Sequence, residues 1–308
     1  MTDSPYHKGE QEVQKRIGEE TIAQKTGRII SDSLPAGAWK FIDKQPMVIV
    51  SSQDVKRNIW TSILVGEPGF MTAENERNVR IHLPSIVSSK LDPFWENIRQ
   101  QPNIGMLFIE LATRKRLRIN GISTLSDLNM HVSVQQAYPN CPKYIQRREI
   151  AVTESNKRSH SRKRGTVLTT EFKNWIEHSD TLFVGSSDDQ GNLDASHRGG
   201  NPGFVKIADE TTLIVPDYPG NSMFNTLGNF WVNPKAGVLF VDFATGNTLQ
   251  LTGKVEISWE EAGTEETTGG TMRFWKFFIS KWMWMDSLKG VNWKFVNHSS
   301  FNPSTKNH

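Results

Sequence analysis

Apolar residues in this chain fall mostly into short runs and period-two alternations. Val79, Ile81 and Leu83 alternate with Arg80 and His82. Leu249, Leu251, Val255 and Ile257 alternate with Gln250, Thr252, Lys254 and Glu256. A period of two places one set of side chains in a core and the other in solvent, the signature of a half-buried strand. Residues 47–50, 59–65, 105–111, 117–122, 181–185, 192–198, 212–215 and 238–243 read as further strands, with turns at residues 66–69 and 216–220. Helical signals are fewer. An irregular pattern runs over residues 9–33 and stops at Leu34-Pro35-Ala36-Gly37. A short piece carries Phe41 and Ile42 and ends at Pro46. Asp92-Pro93 reads as a helix start before Phe94, Trp95 and Ile98. Thr170 is placed to cap a helix with Phe172, Trp175 and Ile176, and another is expected to start at Asn221 or Ser222 and carry Phe224, Leu227 and Trp231. Residues 271–296 interleave Arg273, Lys276 and Lys281 with nine apolar or aromatic residues, which predicts a largely buried helix.

The second half repeats the first. An offset of 132 pairs Pro102, Gly105, Leu107, Phe108, Ala112, Thr113, Leu117 and Gly121 with identical residues. That is eight identities across twenty positions, where about one or two arise by chance. An offset of 134 pairs Val50, Ser52, Asp54, Asn58, Ser62, Gly66, Pro68, Gly69 and Phe70 with their equals at 184–204. Two blocks at nearly one offset define a tandem repeat. Antiparallel strands with short turns, and no helix between every pair, predict a mainly β fold: two tandem split β-barrels forming an intrachain pseudo-dimer, each of five or six strands with a helix between the third and fourth. The expected organisation is a helical extension at 1–40, a first, degenerate barrel unit at 41–150, a basic flexible linker at 151–170, a second unit at 171–260 that holds a ligand site, and an aromatic segment at 261–308.

Composition narrows the class. The 308 residues are 36% apolar and 22% charged, enough to bury cores. Thirty-six basic against 33 acidic residues give a net charge of +3, too balanced for nucleic acid as the main partner. The single cysteine, Cys141, excludes an internal disulfide and paired-cysteine metal sites. No signal peptide and no apolar run of membrane-spanning length is visible, so the expectation is a cytoplasmic chain without a transmembrane segment. The run from Lys157 to Arg164 reads as a solvated connector, with a nuclear-import or nucleic-acid patch as the other reading.

Candidate chemistry concentrates at residues 194–204, D-A-S-H-R-G-G-N-P-G-F. On a strand, Asp194, Ser196 and Arg198 share one face, with Ala195 and His197 on the other. Such a face suits a ligand with an anionic end and hydrogen-bonding edges. The first copy lacks it: Trp60, Ile63 and Leu64 stand opposite Asp194, His197 and Arg198. A ligand site retained in one copy and lost in the other follows.

Residues 194–204, the Val215-Pro216-Asp217-Tyr218-Pro219-Gly220-Asn221 turn, the Phe224-x-x-Leu227-Gly228-Asn229 helix and the segment at 239–246 together resemble the pyridoxamine 5′-phosphate oxidase-like proteins, flavin-binding split β-barrels. Glu67-Pro68-Gly69-Phe70 and residues 140–146 resemble the extra domain of a longer subgroup. The likeness spans residues 9–257. It implies FMN in a groove between two barrels and an FMN-dependent oxidoreductase whose small-molecule substrate or electron donor is unknown. It does not imply a true pyridoxamine-phosphate oxidase, whose substrate site is not evident. Carried onto this chain, the cofactor residues are Asp194, Ser196, His197 and Arg198 on the strand, Asp217, Asn221 and Ser222 at the turn and helix start, and Gln250, with Thr248 beside it, on the fourth strand of the second copy. Where the oxidases carry a basic pair near the helix start, this chain has Ser222 and Met223. Arg116, from the basic stretch Arg114, Lys115, Arg116 and Arg118 of the first copy, is the proposed replacement, since in a pseudo-dimer that strand faces either solvent or the other copy's site. Lys143 and Arg147 are further cations of this kind. The alternative is a non-enzymatic flavin- or haem-binding protein, or a scaffold with a vestigial site, in which His197 is the first axial-ligand candidate. A deazaflavin in place of FMN is a third reading. The chain is expected to act as a monomeric pseudo-dimer or a homodimer.

Overall fold

The computed structural model describes residues 4–152, 161–259, 265–286, 288 and 290–305. The chain opens with α1 (Lys8–Ile17) and α2 (Glu20–Thr26). The single helix expected over residues 9–33 is broken at Gly18, whose φ of 76° caps α1 in the left-handed region. After α3 (Ala38–Asp43) come β1 (Met47–Gln53), β2 (Ile59–Val65), β3 (Met71–Asn75) and β4 (Asn78–His82). Then follow α4 (Phe94–Gln100), β5 (Asn103–Glu110), β6 (Lys115–Leu125) and β7 (Asn129–Pro139). These strands form one antiparallel sheet in the order β2-β1-β5-β6-β7-β4-β3.

The second unit repeats that plan. After β8 (Arg147–Val152), β9 (Arg162–Gly165) and α5 (Thr170–His178), it runs through β10 (Thr181–Ser187), β11 (Leu193–Gly199), β12 (Lys206–Asp209) and β13 (Thr212–Pro216). Helix α6 (Asn225–Val232), β14 (Lys235–Val241) and β15 (Thr248–Ser258) come next. They are followed by α7 (Glu265–Thr268), β16 (Phe274–Met285) and β17 (Val291–Asn297). The sheet order β11-β10-β14-β15-β16-β13-β12 matches that of the first unit position for position, with β9 added on β16. In both units the helix lies between the fourth and fifth strands, not the third and fourth, because β3 and β12 add a strand that the sequence reading did not resolve.

Registers confirm the repeat at residue level. Ser52 faces Trp60 across β1 and β2, as Ser186 faces Asp194 across β10 and β11. Gly105 faces Asn120 as Gly237 faces Thr252. Even the irregularities recur, with register shifts at Asn120/Gly121 and at Thr252/Gly253. Asp54 and Asp188 cap equivalent turns, each carboxylate accepting two backbone N–H groups and the side-chain amide of Asn58 or Asn192.

Two expectations are corrected. The aromatic segment is not a helix: β16 buries Trp275, Phe277 and Ile279 against the second core. Its period of two was hidden because the outward face carries another aromatic, Phe278, 40% exposed. Residues 129–139, inside the expected first unit but assigned no element, form β7, with Met130, Val132 and Val134 buried in the first core. Within the expected basic linker, Arg162, Lys163 and Arg164 lie on β9, exposed along the sheet edge, whereas Lys157, Arg158, Ser159 and His160 lie outside the described residues. Thr169, one residue earlier than expected, caps α5 by accepting the N–H of Phe172.

Each barrel has its own apolar core. A third core lies between them. Ile49, Leu107 and Ile109 of the first unit meet their repeat mates Phe183, Leu239 and Val241 of the second. The contact is self-complementary, as a two-fold interface must be. It is also close. A Cβ on Gly105 would lie 2.7 Å from the Cα of Asp194, and one on Gly237 would lie 2.6 Å from the carbonyl oxygen of Ile59. These mates are glycine because backbone meets backbone there. We predict that Gly237→Ala lowers stability by about 1–3 kcal/mol in urea unfolding. Gly220→Ala, with open space around it, should change stability by less than about 0.5 kcal/mol. Equal effects would contradict the close approach.

Candidate functional site

The cleft lies where the third core reaches the surface, between β11 of the second unit and, from the first, β6 and the segment after β7. It encloses about 100 Å³, or about 830 Å³ counted out to its open mouth. Ser196, His197, Arg198, Asp217, Asn221, Ser222 and Arg116, seven of the residues singled out from the sequence, line it. Asp194 and Gln250 do not.

Asp194 sits behind the cleft and holds Arg118, which reaches across from the first unit. The Arg118 Nε lies 2.8 Å from an Asp194 carboxylate oxygen, and both side chains are about 95% buried. The guanidinium makes four hydrogen bonds. Nε–H donates to the carbonyl of Ala195 (3.0 Å), Nη1 to the Tyr138 hydroxyl (2.9 Å) and to Asn225 (3.0 Å), and Nη2 to Ser196. Burial works against the charged form of Arg118, but Asp194 and Tyr138 outweigh it and raise the group above its ordinary value. Thr226 donates to the same Ser196 hydroxyl (3.0 Å). The expected strand face is thus present, with part of it spent on joining the units.

The remaining cations are not so occupied. Among the described residues Arg116, Arg198 and Lys143 make no ion pair. Arg116 donates from Nε to the carbonyl of Cys141 (2.7 Å), and Arg198 from Nη1 to the carbonyl of His197 (3.1 Å). Burial first, then Arg118 and Arg198, pulls the Arg116 guanidinium down to about 9, still charged at neutral pH. Arg198 is lowered too, again by burial first, although Asp217 partly offsets this. Asp217 is the acid of the lining, and it already pairs with Arg273 at 3.1 Å. A cleft with surplus positive charge and its carboxylate taken is short of an anion.

His197 lies at the repeat position of Ile63, which is buried in the third core. This explains its 3% exposure and its packing on Phe183, ring centroids 5.7 Å apart. Neither ring nitrogen has a partner. Burial, then Arg116, Arg198 and Arg148, hold it well below the usual imidazole range, hence neutral. The buried Tyr218 hydroxyl is likewise unpartnered, and its ring packs on Tyr144 at 5.0 Å. Burial raises both phenols.

The loop before α6 is held from outside the barrel. The expected helix start at Asn221 or Ser222 is corrected: α6 begins at Asn225, and Asn221 accepts the N–H of Met223 in a local turn. Ser222 and Phe224 take positive φ of 62° and 58°, a conformation that costs most residues energy. Helix α1 stabilises this arrangement. Gln14 donates to the carbonyl of Met223 (3.1 Å), Glu10 accepts from Asn225, and Gly9 lies against Gly228 where the helices touch.

Gln250 belongs to the equivalent position on the other side of the two-fold, and this corrects its assignment. It is the mate of Arg118, as Thr248 is of Arg116. It donates to Ser62 (2.9 Å), the mate of Ser196, and to Asp92 (2.8 Å). Asp92 also accepts from Ser62 (2.6 Å) and from the N–H of Phe94, so the residue read as a helix cap serves a buried polar cluster as well. Trp60 packs there on Met283 and Met285, and Ile63 and Leu64 are buried apolar residues. No cation stands at the positions equivalent to Arg116, Arg118 and Arg198, which are Thr248, Gln250 and Leu64.

Tyr144 and Tyr218 were not singled out from the sequence as site residues, and Arg118 and Lys143 were named only as cations that accompany Arg116. Arg118 was legible: it shares a strand face with Arg116 at a spacing of two. The contribution of Lys143 and Tyr144 was not, because it depends on how the segment after β7 crosses to the second unit.

Residues 168–274, which contain most of the second unit, match the family model described as pyridoxamine 5′-phosphate oxidase. Among solved structures, HupZ of Group A Streptococcus is similar at 17% identity over 43% of this chain and 98% of its own, with a TM-score of 0.31. A putative pyridoxamine 5′-phosphate oxidase from Lactobacillus delbrueckii matches at 12% identity over 38% and 94%, with a TM-score of 0.32. The haem storage protein HutZ from Vibrio cholerae matches at 14% over 43% and 95%, with a TM-score of 0.26. Likenesses this slight do not bear on what the chain binds. No curated protein matches it. No helix among the described residues is long and apolar enough to cross a membrane.

The polar cluster around Asp92 predicts a pH effect. Burial pushes the Asp92 carboxyl up to about 6. A value raised in the folded state means stability present at low pH and lost as pH rises through 6. The loss between pH 4 and 7 is about 2 kcal/mol. In the ionised arrangement Gln250 Nε2 faces Asp92 and its Oε1 is buried with no partner among the described residues; turning the amide over lets a protonated Asp92 donate to Oε1. Urea unfolding of Asp92→Asn across this range should show a correspondingly shallower decline than the wild type. Parallel profiles would contradict the assignment.

Proposed function

We propose that the cleft binds the phosphate end of FMN, and that the chain is a flavin-dependent oxidoreductase with a small-molecule substrate or electron donor. One observation carries this reading: Arg116, Arg198 and Lys143 surround a cleft whose acid, Asp217, is already paired with Arg273. The enclosed 100 Å³ suits a phosphate, and the open mouth leaves the rest of the ligand toward solvent. The residues present therefore fit the group.

In this reading Arg198 and Arg116 hold the phosphate through charge-assisted hydrogen bonds, replacing the basic pair missing at Ser222 and Met223. Lys143 adds charge at the mouth. Ser222 and Asn221 offer hydrogen bonds to the polar chain of the cofactor, and Tyr144 and Tyr218 give an aromatic wall beside it. Arg118 and Asp194 do not touch the ligand. They fix Ser196 and the strand that carries Arg198. When bound, the flavin supplies hydride or single-electron transfer, while the protein positions it and excludes water.

A second reading, haem in place of flavin, draws on the neutral, unpartnered imidazole of His197. Against it, the ring is 3% exposed and packed on Phe183.

The test is the visible spectrum of the purified protein, with any pigment released by denaturation and identified. Loss of one charge-assisted contact in Arg198→Ala should weaken FMN binding by about 10- to 100-fold. A colourless protein that takes up no added FMN would overturn the proposal, and a haem spectrum lost in His197→Ala would favour the second reading.

A further inference from the structure

A second cleft, of about 450 Å³, opens on another part of the surface. It lies where the β8–β17 ribbon, helix α5 and the end of β14 meet. Strands β8 and β17 each follow the last long strand of a unit, and they pair with one another antiparallel. This pairing brings Trp293 to the second cleft.

The walls are aromatic. Phe243 and Trp293 pack edge to face with centroids 5.5 Å apart. Arg148 lies over Phe243 at 4.1 Å and near Phe295 at 5.4 Å. Trp175 closes the side formed by α5.

The hydrogen-bonding groups of this cleft are unevenly satisfied. Its carboxylates are taken. Asp180 accepts from Arg148 Nη2 (2.7 Å) and from Thr181 (2.9 Å). Asp242 accepts from the N–H groups of Ala244 and Thr245 and from the Thr245 hydroxyl. Two donors are free. Among the described residues the Nη1 of Arg148, whose side chain is 91% buried, has no hydrogen-bond partner, and neither has the buried Nε1 of Trp293. Buried donors without acceptors are rare and costly, so they point to a group that supplies acceptors.

We propose that this cleft binds a small planar aromatic molecule whose edge accepts hydrogen bonds, an aromatic carboxylate or carboxamide. The ring lies among Phe243, Trp293 and Phe295, and its oxygen takes the Arg148 Nη1 and Trp293 Nε1 donors. Arg148 is already paired with Asp180, so the site asks for an acceptor and not for a full counter-charge. The volume falls within the range of small-ligand pockets. This inference is independent of the flavin reading, because no residue lines both clefts.

The test is saturation-transfer NMR on the full chain with benzoate, benzamide and, as a non-planar probe, cyclohexanecarboxylate. Saturable transfer is expected to benzoate or benzamide, the stronger of the two identifying the carboxylate or the amide, and little to the cyclohexane acid. Trp293→Phe keeps the ring and removes the donor, and should weaken binding about five- to tenfold. Phe295→Ala, at a side chain 46% exposed, removes a wall at little risk to folding and should also weaken it. Arg198→Ala, in the first cleft, should leave it unchanged. Three results would overturn the proposal: no transfer to either aromatic probe, equal transfer to all three, or binding that Arg198→Ala removes and the Trp293 and Phe295 variants do not.

Discussion

The structure depends on the apolar face that each barrel turns to the other. Ile49, Leu107 and Ile109 are buried only because their repeat mates cover them. Glycines at 105 and 237 let the strands approach to backbone distance. That closeness sets everything at the edge of the contact. It brings β6 of one unit beside β11 of the other, so Arg118 can reach Asp194, Ser196 and Asn225 at once. A buried ion pair adds little net stability beside an apolar pair of the same volume, but losing one partner costs several kcal/mol. Its contribution here is to fix one register between the units.

A two-fold arrangement makes two equivalent edges, and this chain has let them diverge. On one side, Arg116, Arg118 and Arg198 surround Ser196. On the other, Thr248, Gln250 and Leu64 surround Ser62, and Asp92 sits where Thr226 stands. The first edge is short of an anion. The second has filled its space with Trp60, Met283 and Met285 and closed its polar groups on themselves. A homodimer must keep both sites alike, whereas a fused pair is free to specialise one. The N-terminal helix reinforces the specialised side, since α1 packs on α6 of the second unit and holds the loop at 221–225.

Much of this was written in the sequence. The repeat offsets of 132 and 134 fixed the pairing of the halves, because strand registers follow side-chain periodicity. The change from Trp60, Ile63 and Leu64 to Asp194, His197 and Arg198 located the site. Other features were illegible for physical reasons. Phe278 on an outward face disguised the alternation of β16 as a helix. Gln250 has the right strand and the right side-chain type, but the two-fold carries it to the opposite edge, which only the docking of the units decides. His197 was read as turned away from Ser196, and it is. It still borders the cleft, because the third core it enters ends there.

The central claim is that one chain builds one anionic-cofactor site from both of its halves. Calorimetric titration of FMN into the purified, pigment-free protein tests it most directly. The account predicts one FMN bound per chain. Two per chain would show that both edges still bind and that their divergence means nothing. None would show that the cations of the cleft serve another purpose.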